Sequence, residues 1–152
     1  MLGRPYTVIM DAVSVSAAAD LIRLSAPADA IVAITKAWVG QESTDDLNEV
    51  NAVQLQRAST DGTGTAATAR QMSDGDPAFG GTAVVNLTAA TTAGNILVRE
   101  NFNFAAGWVW TPYDLSEAII VSPSQRIVLR LDVAPSAAMT LTAGLQFHEI
   151  GG

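Results

Sequence analysis

The sequence predicts an all-β protein, built as one antiparallel β-sandwich domain over residues 1–152. Apolar and polar residues alternate with a period of two, the pattern of a strand with one buried face. Gly, Pro, Asp and Asn separate short apolar runs, as turn residues do. Hydrophobic residues make up 49% of the chain and charged residues 15%, a composition too apolar for a disordered chain. We expect about eight or nine strands, a number that suits a jelly roll.

The clearest alternation lies near the C-terminus. From Ile127 to Val133 every second residue is a large aliphatic side chain, and from Met139 to Phe147 every second residue is apolar. A short link that contains Pro135 joins the two runs. The pattern predicts a terminal antiparallel pair of strands.

Earlier strands are expected wherever a short apolar or β-branched run is bounded by turn residues. These runs cover residues 6–15, 21–24, 31–40, 50–58, 96–104, 108–111 and 118–121. Turn signals between them include Pro27, the Asp61-Gly62 step, Gly107 and Pro123. Regular short strands with turns between them favour a sandwich or barrel over a parallel α/β sheet.

Three segments interrupt this pattern. Residues 42–50 carry an incomplete helix start signal, Ser43 followed by Asp46, and are expected to form one or two helical turns at most. Residues 61–94 are rich in Gly, Thr, Ala and Asp and predict one long loop excursion, with a short strand near residues 82–87. Residues 1–6 are interpreted as an N-terminal arm.

Charge and composition argue against several classes of partner. The formal net charge is −7, and the eight Lys and Arg residues are scattered, so no basic face suggests nucleic-acid binding. The N-terminal apolar stretch is broken by Asp11, which makes it a poor signal peptide and too short for a membrane span. Without cysteine there is no disulfide or thiolate site. We interpret the chain as made in a cytoplasm.

No catalytic or metal-binding residue is predicted. His148 is the single histidine, and its simplest interpretation is an exposed or hydrogen-bonded side chain. Paired carboxylates offer acid/base candidates at Asp74 and Asp76, and at Asp45 and Asp46 with Glu49. The spacing of neither group matches a catalytic family.

Two further groups of carboxylates admit a binding interpretation. Asp61, Asp74 and Asp76 could together supply oxygen ligands for Ca²⁺, although a solvated turn-rich loop explains them more simply. The acidic group that Glu42 begins and Glu49 ends fits a solvated face or a docking patch. Gly62 to Gly64 lack the lysine and helix of a phosphate loop.

Aromatic residues raise a different possibility. Trp38, Trp108 and Trp110 could form a binding surface for sugars or proteins, or belong to the core, which is the commoner place for such side chains. Glu100 falls in phase with neighbouring apolar residues. Either a bulge shifts the register there, or the carboxylate pairs with an arginine, and the candidates are Arg99, Arg126 and Arg130.

Five segments of the chain, in order, resemble a family of small bacteriophage virion proteins that includes capsid decoration (cement) proteins and head-associated structural proteins. The segments are DAVSVSAAADLIRLSAPADAIVAI, VGQESTDDLNEV, QLQRASTDGTGTAATARQMSDGD, ENFNFAAGWVWTP and IIVSPSQRIVLRLDVAPSAAMTLTAG. Together they cover most of the chain. They contain strand and turn residues and no catalytic signature.

This resemblance implies a non-enzymatic virion component without a cofactor. Members look like β-sandwiches, often jelly-roll-like, that sit as homotrimers on the shell formed by the major capsid protein and stabilise it. The implied location is the capsid surface. We expect contacts with the shell or neighbouring subunits at six residues: Leu2, Arg4, Pro5, Tyr6, Met72 and Phe79. The alternative is a carbohydrate- or receptor-binding module of a phage fibre or tail that uses Trp38, Trp108 or Trp110.

Overall fold

The computed structural model describes residues 3–42 and 48–152, which form twelve strands and one 3₁₀ turn. The 3₁₀ turn is formed by Leu115–Glu117. The strands are β1 (Arg4–Val15), β2 (Ala19–Ser25), β3 (Ala30–Gln41), β4 (Val50–Ala58), β5 (Thr63–Ala67), β6 (Arg70–Gln71), β7 (Thr82–Ala89), β8 (Ala93–Asn103), β9 (Trp108–Trp110), β10 (Ile119–Val121), β11 (Arg126–Leu131) and β12 (Met139–Gly151).

These strands form two antiparallel sheets, which confirms the predicted all-β sandwich. Sheet A has the order β10-β3-β12-β1-β6, and β9 also pairs with β3. Sheet B has the order β5-β7-β2-β11-β4-β8. The strands exceed the expected eight or nine because three of them, β5, β6 and β7, lie within residues 61–94, where a long loop excursion was expected.

Strand β12 is the centre of sheet A. It pairs with β1 on one side and with β3 on the other, so that Leu145 lies directly opposite both Val8 and Ala37. These three side chains are fully buried, as are Leu129 and Leu131 of sheet B. Burying one face of each sheet between the two layers is the main source of stability in such a fold.

The predicted terminal pair of strands is wrong. Strand β11 lies in sheet B between β2 and β4, whereas β12 lies in sheet A between β1 and β3. The link that contains Pro135 therefore carries the chain from one sheet to the other. Alternation along each strand reported its buried face correctly, but it carries no information about which strand lies beside it.

Residues 61–94 are not one long loop. The expected strand near residues 82–87 is present as β7, and two further strands, β5 and β6, precede it. Both of the unexpected strands are almost wholly exposed, so no buried apolar residues mark them in the sequence. In β5, Gly64 is required by close packing, because a Cβ there would lie 2.8 Å from a Val84 methyl group.

The interpretation of residues 1–6 as an arm is also wrong for the part that the structure describes. Arg4, Pro5 and Tyr6 begin β1 and lie opposite residues 147–149 of β12. Tyr6 is fully buried, and its hydroxyl donates a hydrogen bond to the Pro77 carbonyl at 2.9 Å. Leu2 and most of the segment expected to be helical, residues 43–47, lie outside the described residues.

The outer face of sheet B is covered by two connections of the chain. Residues 59–62 lead from β4 to β5 and residues 90–92 lead from β7 to β8, and both must pass β11 and β2. Ser59 donates to the Thr92 carbonyl, and Thr91 donates to the Asp20 carboxylate. Val128, on this outer face, is consequently fully buried.

Asp61 fastens the first of these connections to the sheet. Its carboxylate accepts two hydrogen bonds from the Arg126 guanidinium, and Arg23 lies 3.8 Å away. The bond from Arg126 lowers the pKa of Asp61, whereas burial lowers the pKa of Arg23.

We expect Tyr6→Ala to lower the free energy of unfolding by about 3–5 kcal/mol, because a fully buried ring is lost from the core. Tyr6→Phe keeps the ring and removes only the bond to Pro77, so its cost should be about 1 kcal/mol. Urea denaturation followed by tryptophan fluorescence measures both. A Tyr6→Ala protein as stable as wild type would show that residues 4–6 are an arm.

The Asp61 ion pairs should make stability depend on pH. Because the pKa of Asp61 is lower in the folded than in the unfolded state, its stabilisation is present above the unfolded pKa of about 4 and is lost as the pH falls through the folded value. The contribution should stay below about 1 kcal/mol, since the side chain is 57% exposed. Wild type should therefore exceed Asp61→Asn in stability at neutral pH, and urea denaturation should show no difference in strong acid.

Candidate interaction surface

The outer face of sheet A is open, in contrast to that of sheet B. An apolar row, here called the Trp38 row, crosses four strands of it. The row consists of residues that lie directly opposite one another: Val109 on β9, Trp38 on β3, Gly144 on β12 and Ile9 on β1. Val109 is 62% exposed and Ile9 is 49% exposed, so the two ends of the row present aliphatic surface to solvent.

Trp38 lies across the centre of this row because Gly144 has no side chain. A Cβ on Gly144 would stand 2.0 Å from Cζ2 of the indole, so the ring occupies the space that any other residue would fill. The Lys36 ammonium lies over the indole, 5.5 Å from the ring centroid, within range of a cation–π interaction. The ring is thus held against the strand at a fixed position.

Two shallow clefts border the row and share Thr142. One, of about 440 Å³, lies beside Trp38 and is lined by Lys36, Gly107 and Val109 among others. The other, of about 610 Å³, lies beside Ile9 and is lined by Thr7, Asp11 and Arg70 among others. Members of the Trp38 row line both clefts, Trp38 and Val109 the first and Ile9 the second, so the apolar row is combined with partly polar depressions that can dock a complementary surface.

The three tryptophans do not share one surface. Trp108 is only 6% exposed, and its indole N–H donates to the Glu100 carboxylate at 2.8 Å. Trp110 packs against the hydrophobic core. Trp38 alone of the three lies on the outer face of sheet A, whereas Trp108 and Trp110 occupy core positions.

Both explanations predicted for Glu100, a register shift and a paired carboxylate, apply in part. The register of β8 shifts between Ile96 and Val98, as a bulge requires. The carboxylate pairs with Trp108 rather than with an arginine, because Arg99, Arg126 and Arg130 bind Asp132, Asp61 and Asp20 instead. This bond joins the edge of sheet B to β9 of sheet A.

The predicted contact residues fall in different environments. Tyr6 is fully buried and offers no ring to a partner, and the half-buried Phe79 packs on it, with ring centroids 5.5 Å apart. Arg4 is held by Glu149 at 2.7 Å. Met72 is 55% exposed, and Pro5 lies on the outer face of sheet A in β1.

The candidate cation ligands are not brought together. Asp61 is bound to Arg126 over sheet B, whereas Asp74 and Asp76 follow β6 of sheet A. Within residues 3–42 and 48–152, no group of three or more His, Cys, Asp or Glu residues is placed to hold a metal ion. Asp45 and Asp46 lie outside the described residues.

His148 lies on the outer face of sheet A, opposite Pro5 and Ala33. Its Nδ1 is buried and has no hydrogen-bond partner in the described part of the chain. The side chain is therefore half-buried, and its Nδ1 makes no hydrogen bond to a described residue.

A second apolar group lies at the edge of sheet B. It contains Ile96 and Leu97 of β8, which are 50% and 41% exposed, whereas Val50, 69% exposed, lies opposite Asn103 at the other end of this strand pair. Arg99 and Glu100 follow in the same strand, and the register shift beside Leu97 interrupts the pairing. Charges and bulges are the features by which natural edge strands avoid pairing with other chains.

Ile9, Val109 and Gly144 were not predicted to belong to a surface. Ile9 and Val109 look like ordinary strand residues, and only the cross-strand register places them beside Trp38. A usable signal was present in β12, where a lone glycine interrupts the polar positions of an otherwise regular strand, since such a glycine often marks close approach by a neighbour.

Comparison with known proteins gives no assignment: no family model, no curated protein and no solved structure matches the chain. Among the described residues, no helix is long and apolar enough to cross a membrane.

Gly144→Ala should displace the Trp38 indole, because the new methyl group and the rigid ring cannot occupy the same space. We expect a loss of about 1–3 kcal/mol in the free energy of unfolding. Tryptophan emission should also shift to longer wavelength, and the shift should vanish in a Trp38→Phe background.

Gly40→Ala is the matched control, since it lies on the same face and a Cβ there meets nothing within 4 Å. It should change neither stability nor emission appreciably. Equal effects of the two substitutions would show that Gly144 does not position Trp38.

Proposed function

We propose that this chain is a non-enzymatic structural protein of a bacteriophage particle, a decoration protein that binds the outer capsid shell and stabilises it. The observation that carries the proposal is the exposed Trp38 row on the open face of sheet A. The resemblance of five chain segments to phage virion proteins supports the same function. Its partner would be the major capsid protein, and its location the capsid surface.

The Trp38 row has the features of the centre of a protein interface. Tryptophan is enriched among residues that dominate binding energy, especially where smaller apolar groups surround it. Ile9 and Val109 supply those groups on either side. Because the indole is already held by Gly144 and Lys36, docking would order few additional side-chain torsions.

The outer face of sheet A is favoured over the edge of sheet B. The Trp38 row extends across four strands without a charged residue in it, and its members line two clefts. The β8 edge instead carries Arg99, Glu100 and a register shift. These features oppose the addition of a further strand.

Self-association as a homotrimer is part of the proposal and follows from the resemblance. A cyclic trimer would place equivalent faces of sheet A at fixed positions, so that several docking surfaces bind the shell at once. Light scattering coupled to size-exclusion chromatography measures the mass directly. A monomer would contradict the trimer and leave shell binding to be judged on its own experiment.

A sugar- or receptor-binding module of a fibre or tail has less support. That function calls for exposed aromatic rings around a groove. Trp108 is buried and Trp110 packs on the core, which leaves Trp38 as a single half-buried ring. Lys36 already lies over that ring.

Wild-type protein should co-sediment with purified capsid shells that lack it, saturating at a defined copy number. Ile9→Asn should reduce this binding roughly tenfold, because it places a polar amide in the apolar row. Ile96→Asn is the matched control, since Ile9 and Ile96 are 49% and 50% exposed on different surfaces.

The control should bind like wild type. If wild type fails to bind, the decoration function is wrong. If Ile96→Asn loses binding and Ile9→Asn keeps it, the docking surface is the β8 edge.

A further inference from the structure

A second row of side chains runs parallel to the Trp38 row on the same face. It consists of residues directly opposite one another on β3, β12, β1 and β6: Lys36, Gln146, Thr7 and Arg70. Its members lie two residues along each strand from Trp38, Gly144 and Ile9, and we call it the polar row. Lys36 and Arg70 stand at its two ends, about 14 Å apart at the main chain if strands are spaced normally.

These two cations differ from most others in the protein. Five of the eight basic side chains form ion pairs: Arg4, Arg23, Arg99, Arg126 and Arg130. Lys36, Arg57 and Arg70 form none with any residue in the described ranges. Two of the three cations that form no ion pair with a described residue therefore lie on one face, in one row, beside the Trp38 row.

This arrangement is notable in a chain with a net charge of −7. Carboxylates outnumber cations, yet Lys36 and Arg70, at the two ends of the polar row, form no ion pair with a carboxylate among the described residues. Between the ends, Thr7 and Gln146 offer hydrogen-bonding groups. Asp11 lies on the far side of the Trp38 row, next to Thr142.

We infer that the outer face of sheet A binds an acidic protein segment whose apolar side chains cover the Trp38 row and whose carboxylates reach Lys36 and Arg70. This inference rests on the proposed function and names the chemistry of the shell surface that the protein docks on. Charge complementarity of this kind sets the orientation of a partner and the rate of association more than the final affinity.

A protein segment fits the face better than an acidic polysaccharide. Ile9 and Val109 expose aliphatic surface that apolar side chains cover well, whereas sugars bind chiefly by stacking on an open aromatic ring. The Trp38 ring lies against Gly144, and the Lys36 ammonium lies over it.

Charge reversal tests the inference on capsid shells. Arg70→Glu and Lys36→Glu should each weaken shell binding roughly five- to tenfold at low ionic strength. Arg57→Glu is the matched control, because it changes the net charge equally at the third cation without an ion pair. High salt should weaken binding by wild type and by the control more than binding by the two reversed variants. Denaturation curves should first show that all three variants are folded.

A second measurement does not depend on the shell. Isothermal titration with a random copolymer of glutamate and tyrosine should show binding to wild type and to Arg57→Glu, and much weaker binding to Arg70→Glu. Polyglutamate should bind less tightly, and the acidic polysaccharide polygalacturonate least of all.

Loss of copolymer binding in Arg57→Glu to the same degree as in Arg70→Glu would overturn the inference, as would tighter binding of polygalacturonate or no binding of the copolymer to wild type. If the copolymer result holds and wild type ignores shells, the acidic-segment site stands and the decoration function fails. If shells bind all three reversed variants alike, the function stands and the acidic-segment site fails.

Discussion

The contact between Trp38 and Gly144 is the interaction on which the surface of this protein depends. Strand β12 lies at the centre of sheet A, between β3 and β1. A side chain at an outward position of β12 would stand between the outward side chains of β3 and β1. At Gly144 that side chain is missing, and the indole fills the space. Because Gly144 has no side chain, the indole fills the gap between β3 and β1, and the apolar row is continuous from Ile9 at one end to Val109 at the other.

The outer faces of the two sheets differ in how far the chain covers them. On sheet B the connections 59–62 and 90–92 cover the outer face, and Asp61 and Asp20 anchor them through Arg126, Arg23 and Thr91. Polar side chains that would otherwise meet water are buried there, including Gln54 and Gln56. Over the Trp38 row of sheet A, the part of the chain that the structure describes supplies no such cover.

Much of the fold could be predicted from the sequence, because burial of one face leaves an alternation that is visible in residues such as Ile127, Leu129 and Leu131. What alternation could not supply was the pairing. Strands β11 and β12 bury equivalent faces, and nothing in their composition says that they belong to different sheets. Strands β5 and β6 were not predicted, because exposed strands show no alternation of buried apolar residues in the sequence. The Trp38 row could not be predicted either, because it is defined by the register of four strands and alternation gives no register. Trp38 itself was predicted as a candidate binding residue.

The central claim is that the outer face of sheet A is the surface that meets the capsid shell. Hydroxyl-radical footprinting, read by mass spectrometry on free and shell-bound protein, reports the solvent access of individual side chains. The account predicts that Trp38, Ile9 and Val109 lose reactivity in the bound state while Ile96 and Leu97 keep theirs. Unchanged reactivity at Trp38, with protection at Ile96 and Leu97, would contradict it.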